Sequence, residues 1–244
     1  MSIADKLKTI AENEQKVFEA GKKSEYDRFW DNYQDKGNRT DYGSGFGSCW
    51  TSDIFKPKYD IVPISAYMMF NNSKMAIDLV EHLEKLGVAL DFSKATSTQY
   101  MFQSSSFTRV GIIDVRASTN SRPLDATFSN CRKLITIDKI YLKTGASGEF
   151  NATFSNCTAL ENVTFEGSIT KNGLDVHWST KLTKASIISI VNALSNTTSG
   201  LTVTLSKTAV NTAFETSTGA NNGSTSTEWT TLIGTKSNWT ISLA

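Results

Sequence analysis

The segment DATFSNCRKLITIDKIYL, which begins at Asp125, returns as NATFSNCTALENVTFEGS at Asn151, 26 residues later. Phe128 aligns with Phe154, Asn130 with Asn156, Cys131 with Cys157, Leu134 with Leu160 and Ile137 with Val163. Self-similarity at a period between about twenty and fifty residues marks an architecture of stacked units. Weaker copies extend the pattern. Phe102, in QYMFQSSSFTRVGIIDV, lies 26 residues before Phe128, and Phe70, in AYMMFNNSKMAIDL, lies at a longer, irregular step. Downstream, VHWSTKL puts Trp178 at the aromatic position, 24 residues after Phe154.

Each unit carries an aromatic plug, a small polar corner and a short run of β-branched and aliphatic residues. One unit cannot bury its own apolar face, so the core must arise from stacking, aromatic on aromatic and leucine on leucine. The expected repeat core is Phe102, Phe128, Cys131, Leu134, Phe154, Cys157, Leu160 and Trp178. Asn or Cys at a corner can satisfy backbone polar groups where the chain turns. Cys131 and Cys157 then read as a buried ladder rather than a catalytic or redox pair.

The Phe-x-x-Cys-x-x-Leu-x-x-Ile/Val pattern of residues 128–137 and 154–163 resembles the BspA-type leucine-rich repeats of bacterial surface proteins and of proteins from phages that infect gut bacteria. The match covers roughly residues 64–182. Family repeats are usually a little shorter, so inserted loops are expected. The resemblance implies an α/β solenoid, a leucine-rich-repeat-like parallel stack, used for binding or architecture and not for catalysis.

The flanks differ in composition. Residues 1–40 are dense in charges of both signs, and Ile3, Leu7, Ile10, Val17 and Phe18 fall on one helical stripe. This predicts an N-terminal helix that packs on its own domain or serves docking or oligomerisation, although Glu14 within the stripe opposes a long coiled coil. Residues 41–63, rich in glycine and aromatics, read as an irregular connector and lack the Gly-Lys-Ser/Thr ending of a phosphate-cradling loop. Residues 183–244 read as a helix-plus-strand cap. Ile187, Ile190, Val191 and Leu194 lie on one helical face behind Thr183 as N-cap, LTVTLS alternates as a strand from Leu201, the tract 216–227 is a loop, and Trp239, Ile241 and Leu243 share one side of a closing strand. A second cap is expected ahead of the stack, with Met75, Leu79, Leu83 and Leu86 on one helix that stops at Gly87, followed by the alternation Val88, Leu90, Phe92.

With 244 residues and 39% hydrophobic content, the chain can bury one substantial repeat core. A net charge of +1 supplies no global field toward nucleic acid or an anionic membrane, and neither is an expected partner. Charges recur too often at the N-terminus for a signal-peptide apolar region, and no stretch is apolar enough to span a membrane. Cys49, Cys131 and Cys157 form neither a disulfide framework nor a CxxC pair.

Chemistry is sparse. His82 reads as a solvated helix residue, and His177, beside Trp178, as a hydrogen-bonded structural histidine. Carboxylates Asp114, Asp125, Asp138, Glu149, Glu161, Glu166 and Asp175 are spread over several units, and spacing alone selects no catalytic pair among them. The expectation is no enzyme, no cofactor and no metal. The leading reading is a virion structural protein, tail- or baseplate-associated and assembled in the host cytoplasm. Its partners would be other virion or surface proteins through the N-terminal helix, and a host-surface protein or glycan. A homotrimer is compatible with this setting. The alternative is an adhesin or protein/glycan interaction module at a bacterial cell surface.

Overall fold

A computed structural model describes residues 60–143, 150–216, 218–219 and 221–244, together with Thr9, Glu12, Asn13, Lys16, Phe55 and Pro57. The docking stripe of Ile3, Leu7, Ile10, Val17 and Phe18 lies outside the described residues, as does most of the 41–63 connector.

The described residues hold two parallel sheets and four α-helices. Strands β1 (Arg109–Asp114), β2 (Thr136–Tyr141) and β3 (Asn162–Glu166) pair in sequence order, each parallel to the next. Each crossover is one turn of the repeat. Register brings Val110, Ile137 and Val163 into one buried row and Ile113, Ile140 and Phe165 into another. The pairing of β2 with β3 shifts between these rows, where β2 carries one residue more than its neighbour.

Opposite the sheet runs a ladder of four aromatic rings. Phe70 stacks on Phe102 at 5.2 Å, Phe102 on Phe128 at 5.8 Å and Phe128 on Phe154 at 5.6 Å, with interplanar angles of 3°, 5° and 13°. Phe107 meets the first two rings edge-on and Phe165 the last. Phe102, Phe128, Cys131, Leu134, Phe154, Cys157 and Leu160 are all buried.

The backbone that carries these rings is built by two left-handed residues per unit, four apart. They are Met68 and Asn72, Tyr100 and Ser104, Ala126 and Asn130, and Ala152 and Asn156. Asn tolerates this conformation because its short side chain bonds locally; for the alanines and Met68 and Tyr100 the stack itself must hold it. Alternate N–H groups point along the stack, as when Phe102 donates to Thr127 O and Phe128 to Thr153 O, while those between close turns within the unit. Every second donor thus links neighbouring units, which explains why the conformation recurs at the repeat spacing.

Side chains repeat the linkage. Asn156 Nδ2 donates to Asn130 Oδ1 at 3.0 Å, Cys131 Sγ to Phe102 O at 2.9 Å and Cys157 Sγ to Phe128 O at 3.0 Å. Small donors fill the thiol column at its other levels, namely Ser73, Ser105 and Ser179, all buried.

Helices cover both edges of the three-stranded sheet. Helix α1 (Leu79–Leu86) precedes β1, and α2 (Lys184–Ala193) lies along β3. Asp78 and Thr183 are their N-caps, accepting from Glu81 N and Ser186 N, and Gly87 closes α1 in the left-handed conformation. Beyond α2 come β4 (Leu201–Leu205), α3 (Lys207–Ala213), α4 (Thr227–Gly234) and β5 (Trp239–Leu243), with β4 and β5 parallel. Lys236 Nζ donates to the carbonyls of Asn192 and Leu194 at 3.0 and 2.7 Å, occupying acceptors that the end of α2 leaves open.

Several expectations need correction. Trp178 is no core residue, because the last unit advances by 22 residues rather than 24. Val176 N donates to Thr204 O, Ser179 Oγ reaches Cys157 O 22 residues back, and Val176 and Leu182 are buried where Phe154 and Leu160 lie one level earlier. Trp178 falls at the corner occupied above by Asn156, with 44% of its surface exposed. Helix α1 begins at Leu79, so Met75 is buried in the irregular segment before it instead, and Leu86 is partly exposed. The Val88–Phe92 alternation yields one isolated bridge, Ile61 with Leu90, rather than a strand. Helices α3 and α4 were not anticipated; their Ser206 and Ser226 N-caps sit in a Ser/Thr-rich tract whose composition masks any apolar period. The tract 216–227 also holds a 3-10 turn at Gly223–Thr225.

Candidate functional site

The groups that could carry chemistry are mostly committed to holding the stack together. Burial drives the Cys131 thiol up to about 11 against weaker opposing hydrogen bonds from Ser105, and pushes Cys157 well above the ordinary thiol range. Both sulfurs are therefore protonated donors rather than thiolate nucleophiles at neutral pH.

Two carboxylates named from the sequence, Asp138 and Glu166, pair with cations on neighbouring strands. Arg109 grips Asp138 through Nε and Nη2 at 2.7 and 2.8 Å, and lies 3.7 Å from Asp78. Lys139 meets Glu166 at 2.8 Å. Asp114 is pushed up by burial, yet its hydrogen bonds from Arg116 outweigh this and hold it below the usual carboxylate range. The Arg116 guanidinium also lies 4.4 Å from the centre of the Tyr141 ring. Asp125 accepts from Asn151 Nδ2 at 3.0 Å; Glu149 lies outside the described residues. His82 is not simply solvated. It stacks on Phe55 at 5.9 Å and its Nε2 lies 2.5 Å from Phe55 O, which ties α1 to the connector.

One face escapes this pattern. A groove of about 510 Å³ runs between the 151–155 turn, residues 172–178 and strand β4. Its lining includes Asn151, Asn172, Asp175, Trp178, Thr202 and Thr204. Gly173, at φ 100°, lets the chain pass close under Phe150, where a Cβ would meet Phe150 N at 3.2 Å. Strand β4 replaces the next repeat at this level: Thr204 N donates to Leu174 O, and Thr202 N to Asn172 Oδ1 at 2.8 Å. The groove therefore forms where the repeat gives way to the C-terminal elements.

Trp178 sits beside an anchored histidine. Asp175 Oδ1 accepts from His177 N at 3.0 Å and lies 2.6 Å from His177 Nδ1, and the His177 ring lies 4.7 Å from that of Trp178. His177 is thus hydrogen-bonded at a turn, and the additional feature is the indole beside it. The sequence placed Trp178 in the core column because aromatic identity outweighed spacing; the Val-x-x-Ser-x-x-Leu run from Val176 was the signal for the alternative alignment.

Among the described residues, no helix is long and apolar enough to cross a membrane, and no group of three or more metal-ligating side chains converges. No family model, no curated protein and no solved structure matches the chain.

Proposed function

We propose that the chain is a non-enzymatic structural and binding protein, a BspA-like, leucine-rich-repeat solenoid that serves in a phage tail or baseplate. Residues 1–40 dock or oligomerise it, and the stack faces outward toward a host surface or neighbouring subunits. The observation that carries this reading is the unbroken Phe70–Phe102–Phe128–Phe154 ladder. A core made only by stacking is a rigid, extended scaffold whose outer faces are free to vary. The thiols of Cys131 and Cys157 and the carboxylates of Asp125, Asp138 and Glu166 are engaged in links between units, which leaves recognition rather than bond-making as the work of the surface.

Removal of residues 1–40 tests the docking role. Fewer chains per particle by light scattering, with the repeat still cooperatively folded, is the expected result; an unchanged number of chains contradicts it. Product release from cell-wall or capsule substrates would overturn the non-enzymatic reading.

A second reading, an adhesin or protein/glycan interaction module at a bacterial surface, is favoured by the exposed Trp178 in its polar groove. The genes on either side separate the two, since tail genes support the first and wall-anchoring machinery the second.

A further inference from the structure

We infer that the groove beside Trp178 is a binding site for a neutral saccharide, with the indole as the stacking platform for a sugar ring. The inference rests on reading the chain as a binding scaffold and names the ligand class of one face.

Three observations converge. The first is an exposed indole set beside an anchored neighbour. Large aromatic side chains are usually mostly buried, and the equivalent corners above carry Asn72, Ser104, Asn130 and Asn156. Trp178 departs from that column while 44% exposed, and its neighbour His177 is fixed by two contacts to Asp175. Contact with the anchored His177 ring restricts the indole, and such restriction lowers the ordering cost of binding. The apolar C–H face of a pyranose complements such a surface.

The second concerns the polar groups opposite the ring. Asn172 Oδ1 is engaged by Thr202 N, which leaves its Nδ2 as a donor, and Asn151 Nδ2 is engaged by Asp125, which leaves its Oδ1 as an acceptor. Asp175 uses Oδ1 on His177 and leaves Oδ2. The hydroxyls of Thr202 and Thr204 can both donate and accept. A mixture of fixed donors, fixed acceptors and adaptable hydroxyls suits vicinal sugar hydroxyls, which themselves do both.

Charge is the third. Asp175 is the only charged side chain among the described lining residues, and it is anionic. Phosphate, sulfate and uronic or sialic acids would be repelled, so the ligand class is neutral. A volume of about 510 Å³ falls within the range of roughly 300–1,000 Å³ typical of small-ligand sites.

The test uses the full chain on an array of neutral and acidic glycans, followed by saturation-transfer NMR titration with the neutral oligosaccharide that binds best. Trp178→Ala should weaken binding by about tenfold or more, Trp178→Phe should retain most of it, and Thr202→Val should weaken it several-fold. Both sites are solvent-facing, and matched thermal midpoints verify that the variants fold. The inference is overturned if no neutral glycan binds, if acidic glycans bind in preference, or if Trp178→Ala leaves binding intact. Any of these outcomes leaves the scaffold reading standing, because that is tested separately by the 1–40 deletion.

Discussion

The hydroxyl of Ser189 accepts the backbone N–H of Phe165 at 2.9 Å, and three residues earlier on the same helix Ser186 accepts the N–H of Val163 at 3.0 Å. Helix α2 thereby terminates a parallel sheet that would otherwise present the open edge of β3. Ser186 Oγ also donates to Glu161 O at 3.0 Å, so it serves a donor of β3 and the carbonyl just ahead of that strand. An uncovered edge is a template for pairing with another chain.

Replacing Ser186 and Ser189 together by alanine leaves those two strand N–H groups without partners. Each loss is expected to cost about 1–3 kcal/mol, the more severe at buried Ser186. Urea unfolding measures the loss, and size-exclusion chromatography should show concentration-dependent association through the bared edge. Unchanged stability and an elution profile identical to that of the parent chain would contradict the edge-capping role.

The Phe154 ring fills a fully buried site between Phe128 and the edge of Phe165. Phe154→Ala should therefore lower stability by about 3–5 kcal/mol. A loss below about 1 kcal/mol would mean that the ladder does not carry the core.

Alkaline pH should destabilise the fold through the buried thiols. Cys131 ionises near 11 when folded, against an ordinary value of 9.0, so between these values the unfolded chain loses a proton that the folded chain keeps. Stability from this group is complete below about pH 9 and falls as pH rises toward 11, by on the order of 3 kcal/mol. Cys157 shifts in the same direction. Because serine occupies the column at Ser73, Ser105 and Ser179, the Cys131→Ser, Cys157→Ser double variant should fold at neutral pH and show a flatter alkaline limb in denaturant titrations. Rapid native-state alkylation of either thiol at pH 7 would argue against their burial.

Two glycines separate conformation from space. Gly167 (φ 109°) directly follows β3, and a Cβ there would lie 2.8 Å from the Leu142 carbonyl oxygen; Gly200 (φ 74°) has nothing within 4 Å. Alanine is strained at both, but only at Gly167 does it also press on backbone. Gly167→Ala is expected to cost at least about 1 kcal/mol more than Gly200→Ala, measured by thermal or chemical unfolding. Equal costs would show that backbone conformation alone governs both sites.

What the sequence determined by itself was the repeated unit. The equivalence of Phe128 with Phe154 and Cys131 with Cys157 needs only two aligned segments, because identical units that cannot bury their own apolar faces have few ways to do so except on one another. Thr183 as a cap and the alternation of Leu201, Val203 and Leu205 were equally legible, since capping and period two are local signals. Trp178 was not. Its position depends on how many residues the chain uses to climb one level, and that number is set by whether Val176 or an aromatic meets the layer above. Helices α3 and α4 were hidden for a related reason: their short Thr- and Ser-rich segments are held by packing of Val210, Phe214 and Trp229, contacts between residues distant in sequence. The groove is likewise a product of tertiary structure alone, for it exists only where β4 takes the place of a further repeat and brings Thr202 beside Asn172.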